Sequence, residues 1–335
     1  MAHIPVNKLK EGDDVQQYFL LRDMSRRTTR SGKPYLDLIL ADRTGTIKGK
    51  VWSEALDKLD DQVGPGVFVG VRGRVETYNQ EMTITVTTLV STADIEARRG
   101  VVKDFDPDLL IPRTPGDVAV MWQDLLDVVE NELQDQHVRN LVREVLTRYG
   151  GEFKTSPAAR MYHHGYLGGL LEHTHKITQL ALAVKDLYPQ LDGDVLLAGA
   201  ILHDVGKIKE MSGFLNPSTT MAGHFLGHII LGRDMVRDVL TAMGLSDSDS
   251  EKIIQIEHII LSHHGQMEFG SPVLPLTREA LVVHALDDLD AKMKMINDQI
   301  DSDKTEDSFT SWHKVLKRSI FKGTCRPDAD DLTND

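Results

Sequence analysis

Between Gln17 and Leu89 the chain alternates hydrophobic and polar positions with period two. The pattern falls into five short runs, Gln17–Met24 (where four apolar residues are consecutive), Pro34–Ala41, Thr46–Trp52, Val67–Val75 and Glu81–Leu89. Each run is rich in β-branched or aromatic residues and is bounded by turn-forming residues such as Asp42-Arg43-Thr44-Gly45 and Gly64-Pro65-Gly66, so each is predicted to be a strand. A helical patch, Ser53 to Leu59, falls between the third and fourth. From Ser91 to Gly116 the pattern lapses into mixed charge, Gly100 and three prolines, which marks a boundary.

After Asp117 the period becomes helical. Val118, Met121, Trp122, Leu125, Val128 and Val129 define one amphipathic helix, and Leu133 to Leu146 a second that should end near Gly150-Gly151. Leu170 to Val184 predicts a third, with His173 on its apolar face and His175 turned outward. Val195 to Leu202 is apolar or small on every side and should be buried among other helices. His224 and His228, four apart, should share a face of a helix starting near Thr219–Gly223. The last core helix, Glu279 to Ile296, should turn Val282, Leu286, Leu289 and Met293 inward, with Asp287 on an adjoining face of small residues.

The buried segment ends in His203-Asp204, then Gly206 and Lys207. An imidazole and a carboxylate at the floor of a core are costly unless partnered, and a metal ion is a suitable partner. Searching for further ligands yields His173, His203, Asp204, His228, His263 and Asp287 in chain order, with His264 beside His263 as a second choice. Singly, each is as easily a hydrogen-bonded core residue. Together they predict mixed imidazole and carboxylate ligation of divalent ions, two of them if a carboxylate bridges. Lys207 is placed to meet a phosphoryl oxygen, although a lysine there also caps a helix C-terminus.

Charge separates the chain into two chemistries. Residues 1–100 carry 15 basic against 14 acidic residues, while the net charge of the whole chain is −13. Eleven of 14 histidines lie between His163 and His284. A single cysteine, Cys325, excludes a disulfide framework and a thiolate metal site and points to the cytoplasm; the first residues show no signal peptide, and no run is long enough to span a bilayer.

Five strands with a helix after the third describe an OB-fold, and Tyr35 to Trp52 (YLDLILADRTGTIKGKVW) resembles the second and third strands of OB-folds that bind nucleic acid. Tyr35, Trp52, Phe68 and Tyr78 can stack on bases, and Arg43, Lys48, Lys50, Arg72 and Arg74 can meet phosphates. The alternative for each aromatic is a place in the barrel core. The expected organisation is an all-β OB-fold domain over 1–92, a linker over 93–116, an all-α domain over 117–326 and an acidic tail over 327–335.

The ligand order resembles the HD superfamily of metal-dependent phosphohydrolases, whose H…HD…D pattern falls on His173, His203, Asp204 and Asp287. With the OB-fold ahead of it, and with HHGYLGGLLEH (His163 to His173), ILHDVGK (Ile201 to Lys207), LGH (Leu226 to His228), LSHHG (Leu261 to Gly265), GSP (Gly270 to Pro272) and LDAKM (Leu289 to Met293), the chain is similar to YhaM-type 3′→5′ exoribonucleases. That resemblance implies a manganese-stimulated enzyme acting on the 3′ end of single-stranded RNA, and sometimes DNA. Iron, nickel, zinc, cobalt and magnesium are the other ions to consider. The competing expectations are a phosphohydrolase acting on small nucleotides and a non-catalytic single-strand-binding protein. The choice between His263 and His264 stays open, as does oligomeric state.

Overall fold

The computed structural model describes residues 3–29, 31–56, 62–78, 81–159, 165–213, 215, 218–245, 251–303 and 307–323. His163, His164 and the acidic tail therefore lie outside the described residues, as does the side chain of Tyr78.

The five predicted strands are present as β1 (Asp14–Thr28), β2 (Pro34–Asp42), β3 (Gly45–Val51), β4 (Phe68–Tyr78) and β5 (Glu81–Ser91), with a single turn of helix α1 (Ser53–Leu56) after β3. They close into a barrel in the order β1-β2-β3-β5-β4, the parallel β3–β5 pair sealing it, which is the OB-fold arrangement. Alternation puts Phe19, Leu21, Leu38, Leu40, Val69, Val71 and Ile84 inside, all essentially without solvent contact. The boundary segment is more ordered than its composition predicts. Ser91 caps helix α2 (Thr92–Arg99) by accepting from the Asp94 amide, and Phe105 then packs edge-on against Tyr18 and Phe68 of the barrel. Phe68 is thus covered by the chain itself, where base stacking was expected of it.

Helices α3 (Val118–Asn131), α4 (Gln136–Thr155), α5 (Gly169–Leu187), α6 (Gly193–Leu202), α7 (Lys207–Glu210), α8 (Met221–Ala242), α9 (Glu251–Ser262) and α10 (Arg278–Ser302) form the second unit. A two-strand ribbon, β6 (Met211–Ser212) with β7 (Ser218–Thr219), separates α7 from α8. Asp117, Asp135, Asp192, Thr220 and Thr277 cap α3, α4, α6, α8 and α10, each accepting from an amide of the first turn. As expected, α6 is central. Val195 through Leu202 are fully buried, and α6 packs against α4, α5, α9 and α10. Among the described residues no helix is long and apolar enough to cross a membrane.

Three details depart from the pattern. Helix α4 runs through Gly150-Gly151 to Thr155, because Gly150 serves close packing and ends nothing: a Cβ there would stand 2.8 Å from the Trp122 ring. Helix α8 breaks at Gly227, whose φ of 70° and ψ of 161° leave the helical region, so His224 and His228 do not share a face and His224 is exposed. Helix α10 buries Ala280, Val283, Leu286 and Asp290, while Leu289 and Met293 are 45% and 47% exposed. Its inward face is the one carrying acids, so the inward stripe predicted from the apolar residues is rotated.

A cavity in α6 should be felt by the whole helical unit. Leu197→Ala removes a fully buried side chain and is expected to lower unfolding free energy by about 2–5 kcal/mol in urea titrations. A loss below about 1 kcal/mol would contradict the central position of α6.

Candidate metal centre

Three helix ends and two helix interiors converge around Asp204. The C-terminal end of α6 delivers His203 as its cap and Asp204 just beyond, α5 delivers His173, and the re-started part of α8 delivers His228 as its first residue after the break. His263 and His264 follow the end of α9, and α10 supplies Asp287. Gly206 lets α8 approach this closely. A Cβ at that position would lie 1.9 Å from the His228 carbonyl oxygen and 2.4 Å from the Gly232 amide nitrogen, so no other residue fits between α7 and α8.

The two oxygens of Asp204 face different partners. Oδ2 lies 3.4 Å from both His173 Nε2 and His203 Nε2, and His173 Nε2 is 3.2 Å from Asp287 Oδ1. Oδ1 lies 3.5 Å from His228 Nε2 and 3.6 Å from His263 Nε2. The potential ligand atoms of His228, His263 and His264 fall within 4.8 Å of one another, so both residues of the LSHHG pair reach the site. Asp204 Oδ1, His228 Nε2 and His263 Nε2 are buried and have no hydrogen-bond partner. Polar atoms in that condition are expensive unless something fills the space among them. Two atoms each about 2.1 Å from one ion at a tetrahedral angle are about 3.4 Å apart, which is the spacing found here. The donor set and its separations fit a divalent cation.

The other edge of each imidazole is anchored. His203 Nδ1–H donates to the Ala200 carbonyl at 2.8 Å, His263 Nδ1–H to Ile260 at 2.8 Å, and His264 Nδ1–H to Phe269 at 2.6 Å. His173 Nδ1 bonds the Asp290 carboxylate at 2.7 Å, and His228 Nδ1 bonds Glu210 at 3.1 Å. With Nδ1 held in this way, Nε2 of each ring is directed into the site, which is the outer-shell pattern of metal-binding histidines. Glu210 also accepts the His228 amide, capping the helix that restarts there.

Neither Asp290 nor Glu210 emerged from the sequence as a site residue. Asp290 is three residues after Asp287 on the same helix face, and that spacing was the available signal. Glu210 and His228 are 18 residues apart across the break in α8, a pairing no local pattern encodes.

Electrostatics follow from this crowding. Burial pushes the Asp204 carboxyl up, but Lys207 and then His203 outweigh it and hold it well below the usual carboxylate range. Lys207 Nζ lies 2.5 Å from Asp204 Oδ2; burial would lower its pKa, but Asp204 and Asp287 raise it, so the ammonium stays charged. Burial lowers His263 and His264, keeping both imidazoles neutral. Burial also opposes a charge on His173, yet hydrogen bonds to Asp287 and Asp290 push it up to about 9.

The predicted nucleic-acid contacts divide into groups. Tyr35 and Trp52 stand 5.3 Å apart between ring centroids with Lys50 Nζ 5.6 Å from each. A groove of about 460 Å³ includes Tyr35, Lys48 and Lys50 together with Arg27, a cation the sequence reading did not select for this role. Lys48 pairs with Glu81 and Arg27 with Asp37 along that groove. Arg72 lies in a different groove of about 330 Å³, with Arg98, Arg99 and Lys103. Arg74 is exposed two residues further along β4, and the Arg43 amide bonds the Leu109 carbonyl of the connecting segment. Arg74 and Lys50 both pair with Thr85 of β5, so Arg74 shares the outer face that carries Lys50, whereas Arg72 lies in the other groove.

Two predictions follow from the imidazole anchors. Asp290→Asn should weaken Mn²⁺ binding about 10- to 100-fold in calorimetric titration, and an unchanged affinity would show that Asp290 does not orient His173. In the metal-free protein, the charged His173 contributes stability that is complete below its unfolded pKa of about 6.5. That contribution is lost as pH rises through about 9. A cation must displace this proton, so Mn²⁺ affinity should climb as pH rises from about 6 to about 9, with proton release detectable by varying buffer ionisation enthalpy. A flat profile would contradict it.

Comparison with known proteins agrees with this geometry. A family model described as HD domain matches residues 170–292, and one described as OB-fold nucleic acid binding domain matches residues 22–91. The chain is 33% identical over 318 residues to the 3′-5′ exoribonuclease YhaM of Bacillus subtilis (strain 168), covering 93% of this chain and 96% of that one. Its counterpart in Bacillus pumilus (strain SAFR-032) is 32% identical over 316 residues, at 93% and 96% coverage. That of Geobacillus sp. (strain WCH70) is 32% identical over 311 residues, at 93% and 92%. With the likeness spanning nearly the whole of each chain at about one-third identity, this protein belongs to the YhaM family of 3′-5′ exoribonucleases.

Proposed function

We propose that the chain is a divalent-metal-dependent 3′→5′ exonuclease that shortens single-stranded RNA, and single-stranded DNA as a second substrate, to nucleoside monophosphates. The observation that carries this reading is the Asp204 carboxylate, whose two oxygens face separate groups of imidazoles in a chain that also has an OB barrel. His173, His203, Asp204 and Asp287 would hold one ion, and Asp204 with His228, His263 and His264 a second, manganese being the favoured metal. Such ions, when bound, acidify a water and neutralise the scissile phosphate.

The protein's own groups supply the rest. The Nδ1 anchors hold five imidazole rings in fixed orientations, so little reorganisation is needed at the moment of reaction. Lys207 is fixed against Asp204 and remains an ammonium, so its Nζ is placed to donate to a non-bridging phosphoryl oxygen as charge develops there. The Tyr35–Trp52 pair offers a stacking surface upstream, and Lys50 beside it a cation for the backbone. Arg27 and Lys48 would exchange their carboxylate partners for phosphates. Arg74, on the same face as Lys50, would meet the same strand, and Arg43 and Arg72 take part only where a longer strand continues round the barrel. A single cysteine fits a reducing, cytoplasmic setting.

With 5′-labelled single-stranded RNA and Mn²⁺, the expected result is a ladder shortening from the 3′ end, absent in His203→Ala and Asp204→Ala. Intact RNA alongside turnover of free nucleotides would replace this reading with a small-nucleotide phosphohydrolase. Lys207→Ala should lower kcat about 10²- to 10³-fold with Mn²⁺ affinity little changed. Trp52→Ala should raise KM for a long strand about 5- to 100-fold and leave a dinucleotide unaffected; equal effects on both would remove the barrel's role in holding substrate.

A further inference from the structure

The two segments that carry His228 and His264 share an unusual surface. The half of α8 ahead of the Gly227 break presents Phe225 and Leu226 to solvent, with Phe225 81% exposed. The 3-10 turn that follows His264 presents Met267 and Phe269, with Phe269 64% exposed. Large apolar side chains left in water by a monomer's fold mark a binding surface when they gather at one place. These belong to the two segments that bring His228 and His264 to the metal centre. The Phe269 carbonyl is itself the acceptor of His264 Nδ1–H at 2.6 Å. Phe225 is three residues from His228, a span of at most about 11 Å of chain. The rings of His228 and His264 are in contact, with centroids 5.0 Å apart, so the two apolar segments adjoin neighbouring ligands of the site.

We infer that Phe225 and Phe269 form a stacking platform for the base of the 3′-terminal nucleotide, supported by Leu226 and Met267; this rests on the reading of the site as a nuclease centre. An enzyme that removes nucleotides one after another must hold each terminal base without reading its identity. An aromatic surface does this, because every base has a π-face. The imidazoles and carboxylates packed around Asp204 face one another and the metal and phosphate they would hold. The apolar pair beside them supplies the missing contact, and it does so at the half of the centre formed by His228, His263 and His264. The platform positions the substrate and takes no part in bond cleavage.

The test compares an RNA ending in a normal nucleotide with the same RNA ending in an abasic one, using the full chain and Mn²⁺. Wild type should show a KM about 5- to 100-fold higher for the abasic end, and Phe225→Ala/Phe269→Ala should lose that preference while keeping its Mn²⁺ affinity. Phe225→Trp should retain the preference. A second readout is independent of cleavage: 2-aminopurine at the 3′ end, bound to the Lys207→Ala protein with Mn²⁺, should be quenched, and the quenching should vanish when both phenylalanines are replaced. Cleavage that proceeds with no abasic penalty and no quenching overturns the platform and leaves the nuclease reading intact. Quenching without cleavage by wild type supports the platform and sinks that reading. If the double variant instead changes the oligomeric mass in light scattering while the abasic penalty persists, the surface is a contact between copies of the chain and the inference fails.

Discussion

The structure turns on one buried anion. Asp204 sits at the floor of the helical core with no access to water, and its charge is tolerated because Lys207 and the imidazoles of His173, His203, His228 and His263 surround it. Removing an ionised carboxylate from water costs several kcal/mol, so such a group persists only where opposing charge and donors are assembled around it. That assembly is the convergence of α5, α6, α8, α9 and α10. Of these, α5, α9 and α10 pack on the all-apolar α6; α6, α8 and α9 end or break where they hand over a ligand, and α5 and α10 supply theirs from within.

Rigidity at the back of the site and apparent strain at its centre belong together. Every anchored imidazole spends its Nδ1 proton on a carbonyl or carboxylate, and three facing polar atoms are left without hydrogen bonds. A core built only for stability would not leave them so. The arrangement is that of a site whose stability is completed by what it binds, which ties metal affinity, folding and proton uptake into one equilibrium. The OB barrel shows the same economy less sharply. Lys48 and Arg27 are held by Glu81 and Asp37 along the groove where phosphates would lie, so binding there is an exchange of partners.

Much of this was legible along the chain. The five strands fall within a few residues of their expected bounds, because alternation is imposed by a barrel with one wet and one dry face. The all-round apolar run of α6 announced its burial, and the ligand order His173, His203-Asp204, His228, His263 and Asp287 is unusual enough in residue type to stand out. Where the reading failed, a local rule met a tertiary demand. Glycine at 150 looked like a helix end and proved to be room for Trp122, and glycine at 227 divided a helix that periodicity had made continuous. On α10 the apolar residues Leu289 and Met293 were assigned inward, whereas the site drew Asp287 and Asp290 to that face.

By itself, the sequence determined the inventory: an alternating barrel followed by helices, a core helix ending in His203 and Asp204, and the residue types that can hold a divalent ion. Side-chain chemistry and short-range periodicity suffice for that. Only the tertiary structure decided which oxygen of Asp204 faces which imidazoles, that Glu210 and Asp290 orient two of them, and that Gly206 lets α8 come close enough for His228 to reach. It also decided that the basic residues of the barrel lie on more than one face. These are contacts between positions 18 to 117 residues apart, and a linear pattern carries no term for a distance that arises only when separate helices pack.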